Sequence, residues 1–323
     1  MKILHDIHTH NILSLCCGDP NATTENYLKK AVELGHRTFG LSNHMWDESI
    51  PGASPFYQDQ RFMQCQDTKA LFKYLAPDGM NCLFGVEGEY YACFDKLGMT
   101  ADNAAKYFDY VLVPDSHLHM RNEVLWDYPE IREMRETIRA KMEKACPFLD
   151  PNDVRVMSGI STQRVMKYIP EMTTDIEAFV VKANIDNFNR LMNNNEFAKL
   201  CKALPTSIAH PFSFCGFSEE QKRNMQNAIS DDTLRDCYLK AKNLGAYVEI
   251  NVSAVREAGT DLPKNSLIRH FRIAKDVGCK FTFGTDSHSL KTLEVIRYGD
   301  EIAGLVGLTK ADIAEFLRDA IED

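Results

Sequence analysis

The 323-residue chain is long enough for one α/β barrel or two ordinary domains, and its 44% hydrophobic and 26% charged residues are typical of a packed globular protein. Its formal net charge of -9 argues against a general binder of nucleic acid or anionic membranes, because both present negatively charged surfaces. The apolar runs are too short to span a bilayer and the N-terminus does not resemble a secretory signal. We therefore expect a cytoplasmic protein with reduced cysteines.

Short apolar runs alternate with segments that have apolar residues at helical spacing. We predict strands near residues 2–7, 37–41, 82–87, 109–114, 206–209, 246–251 and 280–284. In the first helical segment, residues 24–35, either Thr23 or Thr24 caps the start, Gly35 ends the helix, and the apolar stripe includes Val32.

Repeated β-α units indicate a parallel sheet, which is either a closed barrel or a doubly wound open sheet. Seven strands spread over the whole chain, without a second nucleotide-type half, favour an α/β barrel. We predict one domain, residues 1–323, with two insertions. Residues 45–63 are expected to form a long loop over one end, and residues 129–200 are mostly helical, with one weak strand pattern near 154–157.

Six histidines fall at or just after the carboxyl end of a predicted strand, and a seventh, His119, follows closely. The six are His8, His10, His44, His117, His210 and His288. Carboxyl ends of parallel barrel strands converge on one face, where catalysis takes place in such folds, so these imidazoles are expected to meet in space. A single strand-end histidine is more often a structural residue than a ligand, so the ordered set carries the argument. His5, His36 and His270 lack this placement and are interpreted as surface or structural residues.

Two spacings in this set suit metal binding. His8 and His10 are two residues apart on an extended chain, so their side chains point the same way and can reach one ion, and Asp286 and His288 repeat the arrangement. Glu87 ends a third strand, and a carboxylate can bridge two cations. Imidazole and carboxylate donors together suit zinc, manganese or iron rather than soft metals bound by thiolates.

In this order the motifs resemble those of the PHP family, the polymerase and histidinol phosphatase group of metal-dependent phosphoesterases. The resemblance covers nearly the whole chain. The matching segments are D-I-H-T-H at 6–10, L-S-N-H at 41–44, G-V-E at 85–87, D-S-H at 115–117, A-H-P at 209–211 and G-T-D-S-H-S at 284–289. Asn43 stands where the family usually has aspartate. The family's fold is a distorted TIM-like (β/α)7 barrel, which agrees with the strand count.

The resemblance implies a cluster of two or three divalent metal ions. It assigns His8, His10, Glu87 and Asp286 to the first ion, Glu87, His117 and His210 to the second, and His44 and His288 to the third. The family has one more ligand of the third ion, usually aspartate or histidine, a few residues after the H-x-H pair. Here Cys16 is close to that position and Asp19 follows three residues later. We favour Asp19, because a carboxylate matches the other oxygen donors; alternatively Cys16 is the ligand or a buried thiol, or the third site is weak or empty.

A metal cluster of this kind lowers the pKa of bound water and screens the charge of a phosphoryl group. The sequence therefore predicts hydrolysis of a phosphate monoester of a small metabolite by a metal-activated hydroxide. Asp286 or His119 is the candidate for proton transfer, although a loop role is the alternative for His119. E-I-N-V-S-A-V-R at 249–256 resembles the histidinol-phosphatase segment that carries a phosphate-binding arginine, so Arg256 is the candidate phosphate ligand, or else a solvated residue paired with a nearby carboxylate.

Substrate identity is not encoded in a readable pattern, and L-histidinol phosphate is one example that fits the resemblance. The aromatic residues of the 45–63 loop, Trp46, Phe56 and Tyr57, either line the mouth of the pocket or pack the loop down. The alternatives are a phosphodiesterase or nuclease of the same family, an amidohydrolase-like barrel and a non-catalytic metal-binding module. The acidic charge counts against a nuclease, and the early His44 and Glu87 count against an amidohydrolase.

Overall fold

The structure, a computed structural model, describes residues 1–53, 55–115, 136, 137, 140, 141, 144 and 170–322. Within these residues, strands and helices alternate along the chain as the sequence pattern predicts. No helix in this part of the chain combines the length and the hydropathy that a membrane crossing needs.

The strands are short and mostly buried. In chain order they are β1 (Lys2–Ile3), β2 (His5–Asp6), β3 (Thr38–Leu41), β4 (His44–Met45), β5 (Asn81–Gly88), β6 (Tyr90–Tyr91), β7 (Lys96–Leu97), β8 (Tyr110–Pro114), β9 (Thr206–Ala209), β10 (Tyr247–Asn251), β11 (Phe281–Gly284) and β12 (Ile321–Glu322). Seven of them form a parallel sheet in the order β2-β3-β5-β8-β9-β10-β11, and β4 also pairs with β5. All residues of β3, β9 and β11 are buried, as expected for strands covered on both faces.

The two edges of this sheet meet and nearly close a barrel. The backbone N–H of Ile7 donates to the carbonyl of Phe283 at 3.2 Å, and the N–H of His10 donates to the carbonyl of Ser287 at 2.8 Å. The predicted TIM-like α/β barrel is therefore confirmed, and the carboxyl ends of β2 and β11 lie side by side.

A tyrosine fills the barrel interior. The hydroxyl of Tyr110 donates to the carbonyl of Ile7 at 2.5 Å, so the ring lies across the barrel. A Cβ atom at Gly40 would lie 2.3 Å from the Tyr110 hydroxyl oxygen, and one at Gly85 would lie 2.2 Å from the ring. Only glycine leaves room for the ring at these two positions, and the interior is a packed core rather than a channel.

Helices cover the outside of the barrel. They are α1 (Thr24–Glu33), α2 (Pro55–Gln58), α3 (Phe62–Tyr74), α4 (Ala101–Tyr107), α5 (Thr173–Asn193), α6 (Asn195–Ala203), α7 (Glu219–Ala228), α8 (Asp231–Leu244), α9 (Val252–Glu257), α10 (Ser266–Asp276) and α11 (Gly299–Val306). Apart from α2, whose Tyr57 packs in a small separate cluster with Trp46 and Tyr91, their apolar faces join the strand side chains in one continuous core within the described residues. Each fully buried aliphatic or aromatic side chain in such a core contributes about 1.5–3 kcal/mol.

The first helix follows its sequence signals with one exception. The side chain of Thr23 caps the helix, and Gly35 after its end has a φ of 78°, which glycine adopts without strain. The prediction that Val32 belongs to the apolar stripe is wrong, since 51% of its surface is exposed. Leu28 and Ala31 do face the core, and Val32 lies beyond the edge of that face.

Two predicted segments differ in detail from the structure, and a third is described in part. The expected strand over 2–7 is two strands, and β1 pairs antiparallel with β12 rather than joining the barrel. The expected loop over 45–63 contains α2 and the start of α3. In the helical insertion, α5 and α6 are present, whereas the weak strand pattern near 154–157 lies outside the described residues.

Candidate metal centre

The H-x-H pair lies at the carboxyl end of β2, where Asp6 fixes its direction. The Asp6 carboxylate accepts hydrogen bonds from the backbone N–H of His8 at 3.2 Å and of Thr285 at 3.1 Å, and from the Thr285 hydroxyl at 2.6 Å. Burial raises the pKa of Asp6 to about 7, against the effect of these hydrogen bonds. The first and last strands are thus tied together, which brings Asp286 beside His8 and His10.

Four side chains converge at this point. His8 Nε2 lies 3.1 Å from His10 Nε2, 3.3 Å from Glu87 Oε2 and 3.4 Å from Asp286 Oδ1. His10 Nε2 lies 3.2 Å from the same Glu87 oxygen and 3.1 Å from the same Asp286 oxygen. His8 and His10 are completely buried and Glu87 is 1% exposed. Two imidazoles and two carboxylates that aim their donor atoms at one point form an arrangement that can hold a divalent ion.

A third carboxylate, which the sequence reasoning missed, holds His8 from behind. Glu249 Oε1 lies 2.6 Å from His8 Nδ1, and Glu249 Oε2 accepts the backbone N–H of His210 at 2.6 Å. Because the Nδ1–H group of His8 donates to Glu249, His8 presents its other nitrogen to the cluster. A Cβ at Gly284 would lie 2.3 Å from His8 Cβ and 2.5 Å from Glu249 Oε1, so a glycine is needed where these groups meet. The available signal was a glutamate within a strand of otherwise buried character, where a charge needs a partner.

Charge within this buried group sets the protonation of its members. Burial alone would lower the pKa of His8, but the three surrounding carboxylates outweigh it and hold that pKa well above its ordinary value. Glu87 and Asp286 likewise raise the pKa of His10 against the effect of burial. Burial would raise the pKa of Asp286, but the two imidazoles outweigh it and hold that pKa well below the usual range. A lowered pKa favours the ionised form of Asp286, which is the form that binds a metal ion.

The donor set fits the metals expected from the sequence. Nitrogen and oxygen donors of this kind bind zinc, manganese and iron. Among the described residues, the buried Nδ1 atom of His10 has no hydrogen-bond partner, so this part of the chain does not satisfy all polar groups of the cluster.

A second group of donors adjoins the first. One donor atom from each of His10, Cys16, His44 and His288 lies within 4.8 Å of the others. The His10 ring stacks against those of His44 and His288, with centroids 4.5 Å apart in both cases. The Asp19 carboxylate instead accepts two backbone N–H groups, at 2.9 and 3.3 Å. The structure thus brings Cys16, rather than Asp19, to the histidines.

Glu87 touches members of more than one predicted ligand set. Its Oε2 lies 3.2 Å from His44 Nδ1, and its Oε1 lies 3.1 Å from His210 Nε2. His210 and Asp286 have φ angles of 31° and 52°, in the left-handed region that non-glycine residues rarely adopt. Backbone strain of this kind costs about 1–3 kcal/mol per residue and is found at functional sites. A bridging role for Glu87 is compatible with this placement.

The chain was compared with known proteins. Its sequence matches no protein family and no curated protein. Among solved structures it is similar to a histidinol phosphate phosphatase from Lactococcus lactis subsp. lactis, in a crystal structure with zinc, L-histidinol and phosphate. The TM-score is 0.51, over 96% of this chain and 95% of that chain, at 14% sequence identity. At this identity the likeness establishes the fold alone.

The remaining predicted site residues are placed as follows. His117 and His119 lie outside the described residues. The guanidinium of Arg256 lies 4.0 Å from the centroid of the Tyr298 ring and donates to the carbonyl of Thr260 at 3.4 Å. Among the described residues its contacts are therefore with an aromatic face and a backbone oxygen rather than with a neighbouring carboxylate.

The aromatic residues of the 45–63 loop mainly pack the loop down. Trp46 and Tyr57 are only 1% and 2% exposed and cluster with Tyr91. Two of these side chains also reach the site. The Tyr57 hydroxyl lies 3.3 Å from His44 Nδ1, and the edge of the Phe56 ring meets the His44 ring at a centroid distance of 5.5 Å.

Proposed function

We propose that this protein is a metal-dependent phosphatase that hydrolyses a phosphate monoester of a small metabolite. The observation that carries the proposal is the convergence of His8, His10, Glu87 and Asp286, with donor atoms 3.1–3.4 Å apart, at the carboxyl end of the barrel. The similar fold of a zinc-bound histidinol phosphate phosphatase and the resemblance of the motifs to those of the PHP family support it.

We infer two or three divalent ions, of zinc, manganese or iron. The four convergent residues would hold one ion, and Glu87 would link it to a second one held by His210 and His117. His44 and His288 would contribute to a further site. Bound ions would supply an acidic water molecule and positive charge against the phosphoryl oxygens.

The chain's own residues have separable roles in this proposal. Glu249 orients His8 through its Nδ1 proton and orients the strand end of His210 through the backbone. Asp286 is ionised, which suits a metal ligand, and its low pKa makes it a weak base. Asp286 therefore acts as a ligand first and as a hydrogen-bond acceptor for water second.

A cavity next to His44 provides room for the organic part of a substrate. Its volume is about 670 Å³, within the range of small-molecule sites. Its lining includes Leu13, Leu15, Asn43, His44, Gln60 and Arg61. Asp59 and Asp67 also line it, so a metabolite that carries an amine as well as a phosphate would find opposite charges there. L-Histidinol phosphate is such a metabolite and is the first natural substrate to test.

Arg256 is proposed as the phosphate ligand, held in place by the Tyr298 ring. A hydrogen bond to a charged group contributes about 1.5–3 kcal/mol, so the variant Arg256→Gln should raise KM for the phosphate ester about tenfold or more. The assay is steady-state kinetics with an aryl phosphate. An unchanged KM would remove Arg256 from the site.

The proposed activity is tested with paired substrates. The protein is stripped with a chelator, reloaded with zinc or manganese, and assayed with p-nitrophenyl phosphate, bis(p-nitrophenyl) phosphate and L-histidinol phosphate. We expect metal-dependent turnover of the monoesters. Turnover of the diester alone would identify a phosphodiesterase instead, and no turnover with either metal would contradict the proposal.

A further inference from the structure

We propose that Cys16 is a thiolate ligand of the third ion of the expected cluster, which it binds together with His44 and His288, and that it makes this site selective for zinc over manganese. The inference rests on the proposed function in one respect, namely that this end of the barrel binds metal. It goes further by assigning different donor chemistry to two neighbouring ions.

The loop after β2 is built so that Cys16 faces the histidines. The hydroxyl of Ser14 lies 3.2 Å from the Cys16 sulfur and donates to Gln60 Oε1 at 3.0 Å. Gln60 is 3% exposed and also accepts the backbone N–H of Leu15 at 3.2 Å, which ties the loop to the segment before α3. The Cys17 thiol points elsewhere and donates to the backbone carbonyl of His288 at 3.1 Å. Two adjacent cysteines therefore have different environments, and only Cys16 belongs to the donor group.

The donor atoms of the two groups can be divided between two ions. His10 is common to both groups of potential ligands. Its Nε2 atom already lies 3.1 Å from Asp286 and 3.2 Å from Glu87, in the first group. One imidazole nitrogen binds one ion, so the second group keeps Cys16, His44 and His288 as its own ligands. Three protein ligands with an open position are the arrangement found in catalytic zinc sites.

Asp19 does not compete for this role in the structure. Both of its carboxylate oxygens accept backbone N–H groups, from Asn21 and from Leu290. These bonds join the end of the loop to the segment after His288, and so help to hold Cys16 and His288 together. Asp19 is a positioning residue for the loop.

The donor types give the two ions different preferences. The first group offers two imidazoles and two carboxylates, which suit zinc, manganese and iron alike. The second group contains a sulfur, and thiolates select zinc and other soft ions over manganese. A mixed centre should therefore load zinc at the site of Cys16, His44 and His288 even when manganese is in excess.

Cobalt substitution tests the assignment without relying on activity. Cobalt(II) replaces zinc in such sites, and a thiolate bound to it gives a charge-transfer band in the near ultraviolet. We expect this band when the metal-free wild-type protein is titrated with cobalt. We expect it to be absent in Cys16→Ser and present in Cys17→Ser, which serves as the matched control. The variant Asp19→Asn should also keep the band, because it leaves the Cys16 thiol in place. Circular dichroism of each variant establishes that the fold is retained.

Metal competition supplies the second measurement. Cys16→Ser should weaken zinc binding at one site by more than about 100-fold, because loss of a supporting residue behind a ligand already costs about 10- to 100-fold. Cys16→Asp should retain the ion, lose the charge-transfer band and accept manganese more readily relative to zinc.

The outcomes distinguish this inference from the proposed function. Bound cobalt without the band in the wild-type protein, or a band that survives in Cys16→Ser, would overturn the assignment of Cys16 while leaving a metal centre in place. Loss of this ion in Asp19→Asn, together with its retention in Cys16→Ser, would return the site to Asp19. A wild-type protein that binds no cobalt would contradict both.

Discussion

His5 and His8 are three residues apart on the first segment of the barrel, and both are completely buried, yet their pKa values move in opposite directions. Burial lowers the pKa of His5 to about 3, and the neighbouring His36 adds to this effect. At His8 three carboxylates outweigh burial and raise the pKa well above its ordinary value. Two histidines of one short segment, His5 in β2 and His8 just after it, therefore have different roles.

The comparison shows that burial alone does not identify a functional histidine. His5 accepts the backbone N–H of Phe283 at 3.2 Å and contacts the edge of its ring, so it is a neutral part of the core. His36 is 7% exposed, and neither of its ring nitrogens has a hydrogen-bond partner in the part of the chain that the structure describes. His8 instead faces carboxyl groups on both of its nitrogens. The expectation that His5 and His36 are surface or structural residues is thus resolved in favour of a structural role.

The largest expected effect is on phosphatase activity, which should respond to a change at His8 but not to one at His36. His8→Ala should reduce metal-dependent phosphatase activity by more than about 100-fold, because it removes a proposed ligand rather than a residue behind one. The matched change at the other end, His36→Leu, should leave kcat and KM unchanged. Equal losses in both variants would mean that the histidines act through the fold, and the distinction between the two ends would fail.

A smaller effect is expected from the residue that orients His8. Glu249→Gln keeps the size of the side chain but replaces one of its two acceptor oxygens with a donor, so it cannot hold both His8 and the backbone of His210. Metal affinity should fall about 10- to 100-fold. Competition with a coloured chelator measures it. Glu257→Gln is the control, since Glu257 is an exposed carboxylate that pairs with Lys222, and affinity losses of the same size in both variants would argue against a positioning role for Glu249.

The smallest expected effect is on the free energy of unfolding and concerns His36. The pKa of His36 is lowered to about 4 in the folded protein by burial, while the unfolded chain has an ordinary value near 6.5. Between these values the unfolded state binds more protons, so His36 destabilises the fold as the pH falls from about 6.5 toward 4. Between pH 6.5 and 5 the free energy of unfolding of His36→Leu should therefore fall by about 1–2 kcal/mol less than that of the wild type.

Urea unfolding at both pH values measures this difference. The comparison between variant and wild type isolates His36 from Asp6, whose raised pKa of about 7 has the opposite effect on stability in this range. Parallel pH profiles for the two proteins would show that His36 is not neutral in the folded state.

Much of the fold was predictable because strand and helix periodicities are local. All seven predicted strands are present, and the histidines placed at strand ends meet wherever the structure describes them. Val32 was misjudged because apolar residues also occur at the edge of a helix face, which spacing alone does not resolve.

The rest of the site depends on contacts that no local pattern encodes. Glu249 meets His8 across 241 residues, and only the approach at Gly284 makes that contact possible. The choice between Asp19 and Cys16 depends on the path of a short loop, and that path is set by Gln60 from another segment. Donor chemistry favoured the carboxylate, whereas loop geometry favours the thiol.

The central claim is that the carboxyl end of the barrel, where His8 lies, is a metal centre, and that the opposite end, where His5 and His36 lie, is not. The most direct measurement is elemental analysis of the protein after loading with zinc and exhaustive dialysis, on wild type, His8→Ala and His36→Leu. The account predicts two or three ions in wild type and in His36→Leu, and at least one fewer in His8→Ala. Wild-type protein that retains no zinc, or a His8→Ala variant that retains the full complement, would contradict it.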